Sequence, residues 1–452
     1  MSTHPSTTPP DLAWFTGARF GIFIHWGIWS VGQYDASWPF FKYGDTSGRY
    51  GDPSDFVSYD DYMAQRHVFN ARKYDPDAWA SLFAEAGARY AVLTTKHHDG
   101  VALWDTAEGL STVRDTPARR DLVAPFCAAL RRRGLKTGLY YSHLDWSHPD
   151  YASVFKADGQ PPAFLGDPTY PGMRFSYPMG GKDSPERWER FLRFHRLQLQ
   201  ELCTHFSPDL LWFDGDWERT VQQWRFDELV PQLRAWRPGV ILNNRLGEHG
   251  DYLTPEQGQP MTPPKGRWEF CVTMNRLWGA ATEPTYKSAE ELIRMLAECA
   301  GMGGNLLLNI APLSDGTIHP EQELRLRAIG DWLRPRAEAI FDTVAGLPPG
   351  CFYGPSTLSP DRTVLYLFHY GIPTGEVAVK GIRNRIRSAT VLGHGASLAH
   401  RSSGGADWIN IPGTRWIRLP GEACHPHGTV IRLELDGTLD LYTGEGQVIT
   451  GN

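Results

Sequence analysis

Leu210-Leu-Trp-Phe-Asp-Gly-Asp-Trp217 decides how the chain is read. Leu210 to Phe213 is too apolar for a strand with one wet face, so it reads as a parallel strand buried on both sides. The run stops at Asp214. A carboxylate at the carboxyl end of such a strand, followed by Gly215, occupies the place where barrel enzymes carry catalytic groups. The competing reading makes Asp214 the N-cap of a following helix. On this stretch alone the two stand level, and the rest of the chain separates them.

On either side of this run, short apolar segments alternate with capped amphipathic ones. Arg19 to His25 reads as a strand; Asp75-Pro76 supplies an N-cap and an N1 proline for a helix ending at Gly87. Tyr90 to Thr95 is the next strand, Asp121 to Arg133 a helix, and Lys136 to Ser142 a strand. Ser184-Pro185 opens a long helix to about Phe206, and Gly239 to Asn243 and Arg267 to Thr273 read as strands. Ser288 and Glu291 form a capping box ahead of Leu292, Ile293 and Leu296. Asn305 to Ile310 is the last strand of the series and Pro320 to Leu333 its last helix. The alternation predicts an α/β fold, a (β/α) TIM-like barrel over residues 15–345. An open doubly wound sheet would carry a glycine-rich phosphate turn after its first strand, and His25-Trp-Gly-Ile-Trp29 is not one.

After Leu347-Pro-Pro-Gly350 the helical period vanishes. Short runs at 363–369, 376–380, 388–392, 415–419 and 430–435 predict a smaller C-terminal antiparallel β-sandwich domain over residues 346–452. Trp408, Trp416 and Tyr442 read there as core rings rather than as a binding platform. Residues 1–14 are expected to be a flexible amino-terminal segment.

Composition narrows the function. A net charge of -6 from 45 basic and 51 acidic residues, without a long basic run, argues against a nucleic-acid partner. The amino end has neither a basic nor an apolar leader region and no span has membrane-crossing length, so a cytoplasmic protein with no membrane partner is expected. Six scattered cysteines without a C-x-x-C pair read as buried thiols rather than zinc ligands. The 17 Trp, 18 Tyr and 21 Phe tilt the reading toward carbohydrate, whose apolar faces stack on flat rings.

Polar groups collect at the carboxyl ends of the predicted strands: His25, then Lys96-His97-His98-Asp99, then Tyr141 and His143, Asp214, and Asn243-Asn244-Arg245. Together they describe a pocket for a polyhydroxylated or charged ligand. Adjacent His97 and His98 must point to opposite faces of a regular strand unless the chain has already turned. Trp212 shares a face with Asp214 and reads as a wall of the pocket. Arg245 is a fork for a hydroxyl pair or a carboxylate.

Glycoside cleavage requires two carboxylates, and Glu269 in the sixth strand is the first choice to accompany Asp214. Its neighbours Trp268 and Phe270 would raise its pKa toward that of a general acid. Asp216, Glu218, Glu248 and Glu256 are rivals that spacing does not exclude. A metal-dependent hydrolase using His25, His97, His98, Asp99 and Asp214 is a second reading, weakened because adjacent histidines make poor joint ligands. A catalytically silent sugar-binding protein is a third.

Several motifs then come in order: Phe20-Gly-Ile-Phe-Ile-His-Trp-Gly27, Leu93-Thr-Thr-Lys-His-His-Asp-Gly100, Gly138-Leu-Tyr-Tyr-Ser142, Leu211-Trp-Phe-Asp-Gly215, Asn243-Asn-Arg245, Asp251-Tyr-Leu-Thr-Pro-Glu-Gln257, Trp268-Glu269, Leu277-Trp-Gly279 and Gly304-Asn-Leu-Leu-Leu-Asn309. Together they resemble the alpha-L-fucosidases of glycoside hydrolase family 29. The resemblance implies retaining exo-hydrolysis that releases terminal alpha-L-fucose from fucosylated oligosaccharides or glycoconjugates through a fucosyl-enzyme intermediate, with no cofactor or metal. It places Asp214 as nucleophile and Glu269 as acid/base, with Glu256 in reserve. It also places His25, His97, His98, Tyr141, Trp212 and Arg245 where the sugar is held or walled. Phe23 and Trp278 fall where rings face the sugar and its methyl group. Trp38 follows Ser37 where many members carry Glu-Trp, and Trp278-Gly279-Ala280 replaces Trp-Gly-Tyr, two departures that bear on substrate range.

Overall fold

Seven parallel strands form the centre of the computed structural model, which describes residues 10–41, 56–151, 184–281 and 285–444. They are β1 (Phe20–Ile24), β2 (Tyr90–Lys96), β3 (Lys136–Ser142), β4 (Leu210–Asp214), β5 (Ile241–Leu242), β6 (Glu269–Thr273) and β7 (Asn305–Ile310). Their order across the curled sheet is β5-β4-β3-β2-β1-β7-β6. Apart from Lys136, every residue in these strands is buried, as a parallel sheet covered on both faces requires.

The sheet edges β5 and β6 do not pair directly. The stretch 251–257 runs between them as an irregular stave, with Tyr252 bridged to Asn243, Leu253 to Trp268 and Glu256 to Cys271. Asp251 N–H donates to Leu242 O at 2.8 Å and Cys271 N–H to Pro255 O at 3.1 Å. The sequence predicts no strand there. Pro255 brings no N–H to a ladder, so the stretch has the composition of a loop although its neighbours on both sides hold it extended.

Helices cover the outside and their ends follow the expected chemistry. Asp75 caps Pro76–Glu85, Ser184 caps Pro185–Glu201, and Ser288 with Glu291 makes the full capping box of Ala289–Gly301. The Pro185 helix continues through one wider turn, Leu202–Phe206, and stops at Ser207 in the left-handed conformation. A separate core fills the barrel itself, built from Phe15, Phe23, Tyr90, Tyr140, Leu210, Trp212, Tyr252, Cys271 and Leu307. Helix Leu12–Ala18 closes the amino-terminal mouth, its Phe15 ring 4.4 Å from that of Tyr252. This helix begins inside the stretch expected to be flexible, where Asp11 caps it; residues 1–9 lie outside the described residues.

Beyond the barrel, strands β8 (Val344–Ala345), β9 (Ser356–Leu358), β10 (Val364–His369), β11 (Val377–Val379), β12 (Ile386–Val391), β13 (His400–Ser403), β14 (Thr414–Ile417) and β15 (Thr429–Leu435) form two antiparallel sheets. One is ordered β8-β9-β10-β15-β12 and the other β11-β14-β13. Leu365, Leu367, Ile431 and Leu433 pack between them against Val377, Val379 and Ile417, giving the sandwich. Trp408 departs from its expected core position and is 82 % exposed, and Trp416 and Tyr442 are half-buried outside the sandwich core. Among the described residues no helix is long and apolar enough to cross a membrane.

Candidate active site

Asp214 ends β4 with its side chain on the inner face, two residues after inward-facing Trp212. Gly215 then turns at φ 83°, where an added Cβ would lie 2.5 Å from Leu144, so the chain leaves the strand immediately and the carboxylate sits at the rim. A cavity of about 530 Å³ opens there at the carboxyl ends of the strands, a size suited to a small ligand. Phe23, Trp38, Tyr140, Trp212, Trp217 and Trp278 supply its rings; His25, His97, Asp214, Asp216, Arg245 and Glu256 supply its polar groups.

Every oxygen of Asp214 is engaged. Oδ1 accepts from Arg245 Nη1 at 2.5 Å and Oδ2 from the Tyr140 hydroxyl at 2.9 Å, while His98 Nε2 stands 3.7 Å away. Burial pushes the carboxyl upward, but Arg245 foremost, with His98 and the Tyr140 hydrogen bond, outweighs it and holds the pKa below the ordinary value. Asp214 is therefore an unprotonated carboxylate at neutral pH. The same guanidinium donates through Nη2 to Glu256 Oε2 and lies 4.8 Å over the Trp212 ring. One planar fork thus spans the two carboxyl groups across the cavity.

The histidines are neutral. Burial lowers His25 to about 3 and His98 to about 4, and lowers His97 as well. His25 Nδ1 meets Asn309 Oδ1 at 2.7 Å, and Asn309 is oriented by its amide donating to Trp278 O at 2.8 Å. The shared proton is therefore on His25 Nδ1, which leaves Nε2 as an acceptor for a substrate hydroxyl. His97 Nδ1 pairs with Ser37 Oγ, and His98 Nδ1 with Ser142 Oγ at 2.6 Å. β2 ends at Lys96, so both imidazoles reach the site with centroids 4.1 Å apart. The strand-face restriction on adjacent residues does not apply to them.

Two expected site residues lie elsewhere. Glu269 opens β6, at the amino-terminal end of the barrel, and is fully buried. Its carboxyl accepts from the Tyr90 hydroxyl, from Trp212 Nε1 at 2.9 Å and from the Tyr252 hydroxyl at 3.5 Å, and it does not line the cavity. Burial does raise it, to about 7, but beneath the site rather than in it. Tyr141 faces outward to Gln198, with 2.9 Å from its hydroxyl to Oε1; the ring in the cavity is Tyr140, stacked on Trp212 at 5.6 Å. Register explains this, because β3 and β4 pair Tyr140 with Trp212 and Tyr141 with Phe213. His143 also lies on the outer side.

Phe23, His25, Trp38, His97, Trp212, Arg245 and Trp278 do converge on the cavity with Asp214, and His98 backs it. Of the rival acids, Asp216 and Glu256 reach the cavity. Glu218 is buried beneath Trp146 and Tyr151, and Glu248 is exposed. His97, His98 and Asp214 come within 4.8 Å of one another, close enough for a shared cation. However, the Arg245 cation already occupies Asp214 Oδ1 and would repel another charge of its own sign. Asp99 turns away to Tyr62.

The sequence model described as alpha-L-fucosidase matches residues 3–338. The chain belongs to the alpha-L-fucosidase family. Tissue alpha-L-fucosidase from Mus musculus is 35% identical over 353 residues, covering 74% of this chain and 72% of that protein. Plasma alpha-L-fucosidase from Homo sapiens is 32% identical over 431 residues, covering 88% of this chain and 83% of its own. Among solved structures, alpha-L-fucosidase isoenzyme 1 from Paenibacillus thiaminolyticus matches with a TM-score of 0.78 at 31% identity, over 94% of this chain and 98% of that one. Thermotoga maritima alpha-fucosidase in complex with fucose matches with a TM-score of 0.73 at 28% identity, over 94% and 97%. This member of the fucosidase family is a glycosidase with the barrel-and-sandwich architecture of its relatives.

Proposed function

We propose that the chain releases terminal alpha-L-fucose from fucosylated oligosaccharides or glycoconjugates with retention, using Asp214 as nucleophile and Glu256 as acid/base. The observation that carries this reading is the single guanidinium of Arg245 held between Asp214 and Glu256 in one ring-lined cavity. Retaining enzymes hold their carboxyl groups only about 5–5.5 Å apart, and one guanidinium that contacts both keeps this pair close together.

In the first step an Asp214 oxygen bonds to the anomeric carbon as the glycosidic C–O bond breaks, and Glu256 gives its proton to the departing oxygen. In the second, Glu256 takes a proton from water, the water oxygen bonds to the anomeric carbon, and Asp214 leaves as carboxylate. Neutral His25 accepts a sugar hydroxyl at Nε2, which an imidazolium would not do. Phe23 and Trp278, with ring centroids 5.9 Å apart, offer an apolar corner to the methyl of a 6-deoxy sugar.

Asp214→Gly tests the assignment. Turnover of an aryl fucoside should fall by several orders of magnitude, and azide should restore it with beta-fucosyl azide as product. Near-normal turnover, or rescue without that azide, removes Asp214 from the nucleophile's role.

A further inference from the structure

Two buried histidines, His143 and His195, lie behind the cavity wall and take no part in the mechanism. His143 follows β3 on the outer side of the barrel, its ring stacked 3° from parallel on Phe213 and wedged by Trp224 and Phe226. Its Nε2 lies 3.0 Å from the backbone oxygen of Arg245 and its Nδ1 3.0 Å from His195 Nε2. His195 Nδ1 in turn lies 3.0 Å from Arg196 Nη1. Arginine only donates, so His195 Nδ1 is the acceptor and its proton sits on Nε2. That proton points at His143 Nδ1, which puts the His143 proton on Nε2, aimed at the Arg245 carbonyl. Every tautomer in the row is fixed by the donor behind it.

We propose that Arg196, His195 and His143 form a one-directional relay of positioning residues that sets the place of Arg245, and through it the ionisation of Asp214 and the alignment of Glu256. None of the three lines the cavity, so each acts through the Arg245 backbone. Burial keeps both imidazoles uncharged, lowering His143 to about 3 and His195 well below its ordinary value, so the relay holds its polarity across the working pH range. The groups that face Asp214 are Arg245, His98 and Tyr140, with His25, Asp216, His143 and Cys271 at longer range and Glu256 across the shared guanidinium. Arg245 is the strongest of these in lowering its pKa.

The inference rests on Asp214 being the nucleophile, and its test separates the two. The pH profile of kcat/KM on an aryl fucoside is measured for the parent, His143→Phe, His143→Gln and Arg196→Met, with circular dichroism confirming the fold. Phenylalanine keeps the stack on Phe213 without a donor; glutamine restores a terminal N–H donor and an acceptor. His143→Phe is expected to lose about tenfold or more, chiefly in kcat, with the acid limb raised by about one pH unit. His143→Gln should return the limb toward its parental position, and Arg196→Met, at a half-buried site, should raise it by a smaller amount. An unmoved limb in His143→Phe, or equal displacement by phenylalanine and glutamine, overturns the relay. If His143→Phe does not fold, an unmoved limb in Arg196→Met overturns it. Asp214→Gly run alongside identifies which idea fails: persistent turnover removes the nucleophile and the inference with it, whereas azide-rescued silence with unmoved limbs removes the relay alone.

Discussion

Replacing Glu269 by glutamine is expected to leave catalysis within about tenfold of the parent while changing how stability depends on pH. The carboxyl sits in the barrel core with its pKa raised from 4.5 to about 7 by burial, against hydrogen bonds from Tyr90, Trp212 and Tyr252. Because the folded value exceeds the unfolded one, the native state keeps a proton that the unfolded chain has released. The stability this provides is complete below 4.5 and is lost as pH rises to about 7. At 1.36 kcal/mol per unit the whole interval amounts to about 3 kcal/mol, an upper bound. Glutamine accepts from Trp212 as before but leaves the Tyr90 hydroxyl without its acceptor, at a cost of about 1 kcal/mol at every pH. Urea denaturation at pH 4.5 should therefore find Glu269→Gln slightly less stable than the parent, and at pH 8 more stable by about 2 kcal/mol. A stability difference equal at both pH values would refute the buried titration. Loss of three orders of magnitude in kcat, with Glu256→Gln unaffected, would refute the placement of the acid/base and return it to Glu269.

Tyr140→Phe removes the 2.9 Å hydrogen bond to Asp214 Oδ2, so the acid limb of kcat/KM should rise by about half to one unit and kcat fall about tenfold. Arg245→Lys replaces a fork by a point charge that reaches one carboxylate at a time; kcat/KM should drop about a hundredfold, whereas a drop of less than threefold would deny the bridge its importance. In Gly279→Ala the new Cβ would stand 1.9 Å from the Tyr34 backbone oxygen, displacing the turn that carries Trp278, and KM should rise at least severalfold with a lower melting temperature. Prolonged dialysis against a chelator should leave turnover unchanged, because Arg245 already provides the positive charge at Asp214.

How far the sequence reaches is clear from particular residues. The run before Asp214, the capping box at Ser288 and the helix from Pro320 carry local signals strong enough to place them, and the structure has them there. Glu256 stands out weakly in the sequence because its stave contains Pro255 and has no alternating pattern; only pairing from β5 and β6 on either side makes it extended. Glu269 lies away from the cavity, and the sequence does not announce that, for a different reason. Apolar neighbours raise a carboxyl wherever it lies along a strand, and periodicity tells inside from outside but not the top of a barrel from its floor. Its place at the start of the apolar run was the available clue. Tyr140 and Tyr141 differ only in register, which is set by pairing with β4. The relay behind Arg245 joins residues from β3's end, a distant helix and the β5 turn, and no spacing in the chain announces it.

The central claim is that an Asp214 oxygen bonds to the anomeric carbon during turnover. Treating the protein with 2-deoxy-2-fluoro-fucosyl fluoride, followed by peptic digestion and mass spectrometry, tests it directly. The account predicts time-dependent inactivation with one fluorofucosyl adduct on Asp214. An adduct on any other residue, or none from a protein whose product is released with inverted anomeric configuration, would contradict it.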